Sequence, residues 1–277
     1  MKIGNVGQIT FALGLAIIVL FAIRLFVIPH TSSSITLTAK GNIHNKELGK
    51  MPDFSTIDDI TTKKQTFFQY LRPAIEAQNQ IIIHERQFIL LLLNQIDNGL
   101  GFSKDDEQKL QFIIEKYQID IDTFTRATLA PLLKRIDTIP VDLVLIQAAN
   151  ESGWGSSRFT KEGYNFFGQW CFTQGCGLVP SKRDNDKHHE VAVFKSPKDS
   201  IKAYMVNLNT HPAYRLFRAI RADLRAQKIK PTAEKLAFGL INYSERKEAY
   251  IDELLEMLKH NQSLLTGNTD NVELSAT

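Results

Sequence analysis

Apolar and polar positions divide the chain into stretches of different kinds. From Val6 to Pro29 it is almost wholly apolar, and Arg24 is the only charge. About twenty such residues match the hydrocarbon thickness of a bilayer, so residues 1–29 are expected to form a transmembrane signal anchor. A cleaved signal has a shorter apolar region, roughly 7–15 residues, followed by a small-x-small site. Here His30-Thr31-Ser32-Ser33-Ser34 follows and offers no Ala-x-Ala site. Lys2 and the free amine favour an N-terminus on the inner side, which puts the body of the protein outside the cytoplasm. Residues 30–62, rich in Ser, Thr, Lys, Asp and Gly and without sustained period, are expected to be a linker.

From Lys63 onward the period is helical. Phe67, Phe68, Leu71 and Ile75 share one face, and Pro73 predicts a kink or a restart. The run Ile81 to Ile96 is apolar enough to predict a buried helix, ended by Gly99 and Gly101. Ser103 with Asp106 resembles a capping box for a helix that turns Leu110, Ile113, Ile114 and Tyr117 inward. Another helix is predicted from Thr123 to Arg135, with Phe124, Ala127 and Leu132 inward. Pro140 suits a helix start, because its missing N–H would have been unpaired anyway. The helix it opens buries Leu143, Val144, Ile146 and Ala148 and stops near Glu151, where Gly153 and Gly155 break the pattern. Residues 165–194 lack helical period and predict loops with a short hairpin. Helices return at Ser196-Pro197-Lys198-Asp199, and the last long one runs from about Ser244 to Lys259. The fold class is therefore mostly α, with a small β-hairpin element.

Composition adds little to this. Hydrophobic and charged fractions of 43% and 23% are ordinary for a globular chain, and a net charge of +3 leaves no footprint for nucleic acid. Cys171 and Cys176 stand either side of Phe-Thr-Gln-Gly, and Gly175 and Gly177 let the chain fold back. In an oxidising compartment such a pair can close a disulfide loop. A metal site would need two further ligands from His188, His189 and Glu190, in a spacing that fits no common zinc pattern. No metal or cofactor is therefore expected.

Glu151 is the candidate for chemistry. Cleaving a glycosidic bond needs a carboxylic acid that keeps its proton near neutral pH, beside an oxocarbenium-like transition state. A helix C-terminus disfavours negative charge. Trp154, Phe166, Phe167 and Trp170, close by in sequence, can desolvate the group, and both effects raise a carboxyl pKa. The bland alternative is a solvent-facing Glu at a helix end.

The segment Ala148-Ala149-Asn150-Glu151-Ser152-Gly153-Trp154-Gly155-Ser156-Ser157 resembles the catalytic segment of the lysozyme-like bacterial glucosaminidases of glycoside hydrolase family 73. Asn165-Phe166-Phe167-Gly168 is similar to that family's Asn-x-Phe-Gly loop, Phe194 to Tyr214 to its downstream helix, and the Tyr243 segment to its closing tyrosine motif. The Bax-type branch is the nearest in resemblance, through Arg135-Ile136-Asp137, Gln169-Trp170-Cys171 and Gly175-Cys176-Gly177-Leu178-Val179-Pro180. The resemblance runs from about Lys63 to Asn261. It implies a lysozyme-like α+β glucosaminidase domain over 131–265, an N-terminal helical extension over 63–130 and a disordered tail over 266–277.

The resemblance also implies hydrolysis of β-1,4 bonds next to N-acetylglucosamine in peptidoglycan, with Glu151 as general acid. Trp154, Phe167, Trp170 and Tyr243 are its implied substrate-binding residues. The expected location is the bacterial inner membrane, single-pass, with the catalytic domain in the periplasm facing the glycan strands. Relatives carry a second carboxylate where this chain has Leu178, and Glu190 is the expected substitute, with Asp184 and Asp186 behind it. If all three are merely solvated, the substrate's acetamido group takes over that role. The alternatives are a lytic transglycosylase on the same fold and a non-catalytic wall-binding protein.

Overall fold

The computed structural model describes residues 48–180 and 189–266. The anchor expected over 1–29, the linker up to residue 47, Asp184, Asp186, His188 and the tail from 267 onward lie outside the described residues. Among the described residues no helix is long and apolar enough to cross a membrane.

A 3-10 turn at Phe54–Thr56 precedes helices α1 (Ile60–Asp97), α2 (Lys104–Tyr117), α3 (Arg126–Leu129), α4 (Leu132–Arg135), α5 (Val141–Ser152) and α6 (Arg158–Gly163). Three short strands follow, β1 (Trp170–Cys171), β2 (Gly177–Leu178) and β3 (Glu190–Ala192). The chain then closes with α7 (Pro197–Thr210), α8 (Arg215–Ala226), α9 (Ala233–Ala237), α10 (Glu248–His260) and α11 (Gln262–Leu265). The protein is mostly α with one small antiparallel sheet, as its sequence predicts.

Helix α1 runs unbroken through Pro73 for 38 residues, where a kink or restart was expected. A proline removes one helical hydrogen bond and crowds the preceding turn. Here Phe67, Phe68 and Leu71 before it and Ala74 and Ile75 after it are all buried, so packing on both flanks outweighs that loss. The second half of α1 is two-sided and not wholly buried. Ile82, Ile89 and Leu92 face the core, while Leu90 and Leu91 face solvent. Helix α2 has the expected capping box, with the Ser103 side chain accepting from the Asp106 N–H and the Asp106 carboxylate accepting from the Ser103 N–H. The helix expected over Thr123–Arg135 is two short ones, because Pro131 has no N–H to continue the first. Leu132 is buried as expected and Leu129 is buried as well, whereas Ala127 is exposed.

Helix α5 sits at the centre and packs against α1, α9 and α10. One hydrophobic core runs from Phe54 to Leu265, so residues 63–130 and 131–265 share it. The approach to α5 is held by a cluster of buried charge. Arg221 is fully buried and donates to the carbonyls of Asp137 (3.0 Å) and Lys134 (3.1 Å). Asp137 in turn receives both ends of the Arg225 guanidinium, at 2.9 and 3.1 Å. Removing one member of such a cluster leaves the others buried and unpaired.

The sheet has the order β1-β3-β2, with β3 antiparallel to both neighbours. It is not the simple hairpin that was expected, since the last strand lies between the first two. Cys171 and Cys176 are joined by a disulfide. Strand β3 ends at Ala192, and Val193 is exposed.

Phe54, in the stretch read as a linker, is fully buried against Phe67 (ring centroids 5.2 Å apart) and Tyr70 (6.1 Å). Its ring is pressed on Gly155, where an added Cβ would stand 2.3 Å from Phe54 Cδ2. The turn behind α5 is thus wedged by a residue about a hundred positions earlier. Phe54→Ala is expected to cost about 3–5 kcal/mol, the usual range for emptying a buried phenyl site. Urea unfolding measures it, and a loss below about 1 kcal/mol would show that this segment adds little to the fold.

Candidate active site

Burial dictates how α5 ends. Leu143, Val144, Ile146, Ala148 and Ala149 are fully buried, so the helix cannot turn its last residues freely toward water. Gly153 takes the left-handed conformation at its C-terminus. Trp154 follows at φ +57, and its N–H donates back to the Ala149 carbonyl (2.8 Å). The Ser152 hydroxyl accepts from the Gly155 N–H (2.8 Å) and donates to Ala148 O (2.5 Å). This strapped turn fixes Glu151 in the last helical turn.

Gln147 lies one turn earlier on the same face and is fully buried. A buried amide must be satisfied, and its partners define a directed chain of hydrogen bonds. The Tyr204 hydroxyl donates to Gln147 Oε1. Gln147 Nε2 donates to the Tyr250 hydroxyl oxygen (3.0 Å), whose own proton goes to Glu151 Oε1 (2.8 Å). With Oε1 engaged, Oε2 is the oxygen left to carry a proton outward. It borders Gly168, where φ is +61 and an added Cβ would stand 3.8 Å away. A larger residue there would crowd that oxygen.

The electrostatics favour the protonated acid. Burial pushes the Glu151 carboxyl above its ordinary range, and the Glu253 charge adds to the push. The Tyr250 hydrogen bond and the Arg246 charge pull the other way without cancelling it. Tyr250 itself is raised far above the usual tyrosine range, by burial first and then by Glu151. It therefore stays a donor.

The other predicted site residues separate into groups. Tyr243 stacks on Tyr250 (5.5 Å, 6°) and donates to the Phe167 carbonyl (2.8 Å). Phe167 is buried and stacks on Tyr204 at 3.9 Å. Both therefore back the acid, and Phe167 has almost no face to offer a sugar. Trp170 is 59% exposed and stacks on His189 at 4.2 Å. Trp154 packs against Phe67 and Phe68 of α1, with the Lys64 ammonium 5.0 Å from its ring centre. It lines a cavity of about 490 Å³ with Asn150, Glu253 and Asn261.

Glu190 sits elsewhere in kind. It is buried on β3, and its two carboxylate oxygens accept from the N–H groups of Gly175 (3.0 Å) and Gly177 (2.8 Å). Both glycines flank Cys176, so Glu190 clasps the disulfide loop. Cys171, Cys176 and Glu190 form the one close set of three metal-type ligand atoms among the described residues. With the two sulfurs bonded to each other, neither is a thiolate ligand.

Residues missed at the sequence level are Gln147, Tyr204, Tyr250, Arg246 and Glu253. Gln147 carried a usable signal, a polar residue one turn before the acid in an otherwise apolar helix.

Residues 127–263 match the Glucosaminidase family, described as mannosyl-glycoprotein endo-beta-N-acetylglucosaminidase. Protein bax of Escherichia coli (strain K12) is 33% identical over 219 residues, covering 79% of this chain and 77% of that protein. No solved structure matches the chain. With Glu151 and its supports lying inside the stretch that the family model matches, and with a relative 33% identical over most of both chains, the chain belongs to the glucosaminidase family and, within it, to the Bax type.

Proposed function

We propose that this protein hydrolyses β-1,4 glycosidic bonds next to N-acetylglucosamine in peptidoglycan, with Glu151 as the general acid. The observation that carries the reading is the end of the hydrogen-bond chain. A carboxyl pushed upward by burial is held at one oxygen by Tyr250, leaving the other to protonate the leaving oxygen. Family membership supports the same class of reaction. The apolar run from Val6 to Pro29 supports a tether in the inner membrane, with the enzyme working in the periplasm. A mature N-terminus downstream of Pro29 would overturn the tether alone.

We assign Glu190 to holding the disulfide loop, because two backbone N–H groups already claim its oxygens. The positive charge at the anomeric carbon is then met by the substrate's own acetamido oxygen, a known exception to the two-carboxylate scheme. Glu151 serves first as acid toward the departing oxygen and then as base toward the incoming water.

Glu151→Gln is expected to fold and to lose at least about a hundredfold in turnover, the usual scale for a missing general acid. Mass spectrometry of peptidoglycan digests reads this and the bond cut together. A reducing sugar end fits hydrolysis, whereas an anhydro-muramic end, one water lighter, would assign a lytic transglycosylase. Near wild-type digestion by the variant would remove Glu151 from the mechanism. The raised carboxyl also sets a stability trend. A group with an elevated folded pKa contributes stability that is lost as pH rises through that pKa. The melting temperature of Glu151→Gln should therefore gain on wild type as pH increases above the carboxylate range.

Tyr250→Phe removes the donor that pulls the acid down. The alkaline limb of the kcat profile should shift to higher pH while turnover falls, because orientation is lost together with the hydrogen bond. A limb unmoved or shifted to lower pH would show that Tyr250 does not set the acid.

Glu190→Gln places an amide opposite two N–H donors, so it should cost about 1–3 kcal/mol of stability while keeping turnover within about tenfold. Substrates without the N-acetyl group should not be cut. A large fall in turnover without a fall in stability would return Glu190 to the catalytic pair.

A further inference from the structure

A second concavity lies on the other side of the wall that backs the acid. It has a volume of about 1000 Å³, and its cationic lining is Lys134, Arg135, Arg215 and Arg218, against one acid, Asp223. Among the described residues no carboxylate pairs with any of the four cations. Asp223 instead accepts from Gln227 Nε2 at 2.7 Å.

The two inner arginines are costly as they stand. Arg218 is 7% exposed. Its Nη1 donates to the carbonyls of Leu208 (3.0 Å) and His211 (2.9 Å), and among the described residues no acceptor meets its Nη2 or Nε. Arg135 uses its Nη1 in the same way, on Tyr117 O (2.6 Å) and Gln118 O (2.8 Å). Burial and the neighbouring Arg135 charge pull Arg218 down to about 10. A nearly buried guanidinium beside another, with no counter-charge among the described residues, is electrostatically unfavourable. An anion entering the cavity would relieve that strain and gain charge-assisted hydrogen bonds.

Position narrows the class of anion. Ala213 and Asn242 line the cavity, and Asn242 Nδ2 reaches Ala213 O at 3.4 Å. The next residues in the chain, Tyr214 and Tyr243, belong to the aromatic wall around Glu151, with rings 6.0 Å apart. The cavity thus lies one residue behind the wall of the proposed glycan site. The glycan backbone of peptidoglycan supplies no free carboxylate there, since each lactyl group is amide-linked to a short peptide that carries several. A cavity of this size is at the upper end of the range for small ligands and has room for such a peptide.

We propose that the Lys134–Arg135–Arg215–Arg218 cavity binds the carboxylates of the peptide stem attached to the glycan strand being cut. This rests on the peptidoglycan reading above, and the test separates the two. The first measurement needs no catalysis. A synthetic stem tetrapeptide without sugar is titrated into the full-length protein by calorimetry. Binding should weaken as salt rises, and K134E/R215E should weaken it at least about tenfold, two rim charges being reversed. Both side chains are exposed, so the fold should survive, which an unchanged melting temperature would verify. Arg218→Gln gives the same readout from the inner wall. Absence of peptide binding would overturn the proposal. Binding of inorganic phosphate without peptide would overturn it in favour of a phosphate-bearing ligand.

The second measurement compares kcat and KM on stem-bearing strands and on strands stripped of peptide by an amidase. K134E/R215E should raise KM about tenfold on the first substrate only, with kcat unchanged. Equal effects on both substrates, or none on either, would overturn the stem assignment. If neither substrate is cut by the wild type, the glycosidase reading fails while the titration still decides the cavity.

Discussion

Helix α5 is buried along nearly its whole length, and its last turn carries a carboxyl group. The surrounding architecture follows from reconciling those two facts. A charge at the C-terminal end of a helix, out of water, is disfavoured twice over. The group is tolerable because one oxygen has a donor in Tyr250 and because burial raises its pKa, which favours the protonated form. Gln147 then fixes the direction of the whole chain of donors. Its Oε1 accepts from Tyr204 and its Nε2 donates to the Tyr250 hydroxyl oxygen, which leaves the Tyr250 proton for Glu151. A network with every member satisfied is rigid in a way that a half-satisfied one is not.

That network needs a stiff frame, and three devices supply it from three directions. From the N-terminal side, Phe54, Phe67 and Phe68 press on Trp154 and on the turn that follows the acid. From behind, Arg221 and Asp137 tie α8 to the loop that enters α5. On the far side the stacked pair Tyr243 and Tyr250 carries the donor itself. Each device joins residues far apart in sequence, which explains why the expected helical extension and the expected catalytic domain share one core. The extension forms part of the wall of the site.

This distribution also explains what could be read from the chain alone. The buried positions Leu143, Val144, Ile146 and Ala148 and the stop after Glu151 depend on period and on glycines, which are local, and they appear as predicted. The capping box at Ser103 is local too. Tyr250 is different. At helical spacing with Ile251 and Leu254 its ring reads as core, and it is core; its hydroxyl finds a partner 99 residues away. Nothing in the neighbourhood of Tyr250 announces that. Phe54 was concealed by polar neighbours, and the continuity of α1 through Pro73 depends on burial that no window of sequence displays. Strands of two and three residues are too short for any period, so the central place of β3 was not legible either.

Under the proposed assignment, Glu190 is an expected residue type in a plausible place with a different task. The sheet is small, and its outer strands are two residues each. Such strands contribute few ladder hydrogen bonds and cannot by themselves order the loop between Cys171 and Cys176. The disulfide closes that loop covalently, and the Glu190 carboxylate fastens it from the middle strand through Gly175 and Gly177. The same loop follows Trp170, whose exposed ring is the aromatic surface that β1 presents. A carboxylate turned toward those backbone donors has its strongest acceptor directions taken. The cost of recruiting it to the anomeric carbon would be two part-buried N–H groups left without their present acceptor. An enzyme with one free carboxyl and a substrate that carries its own acetamido oxygen does not require that exchange.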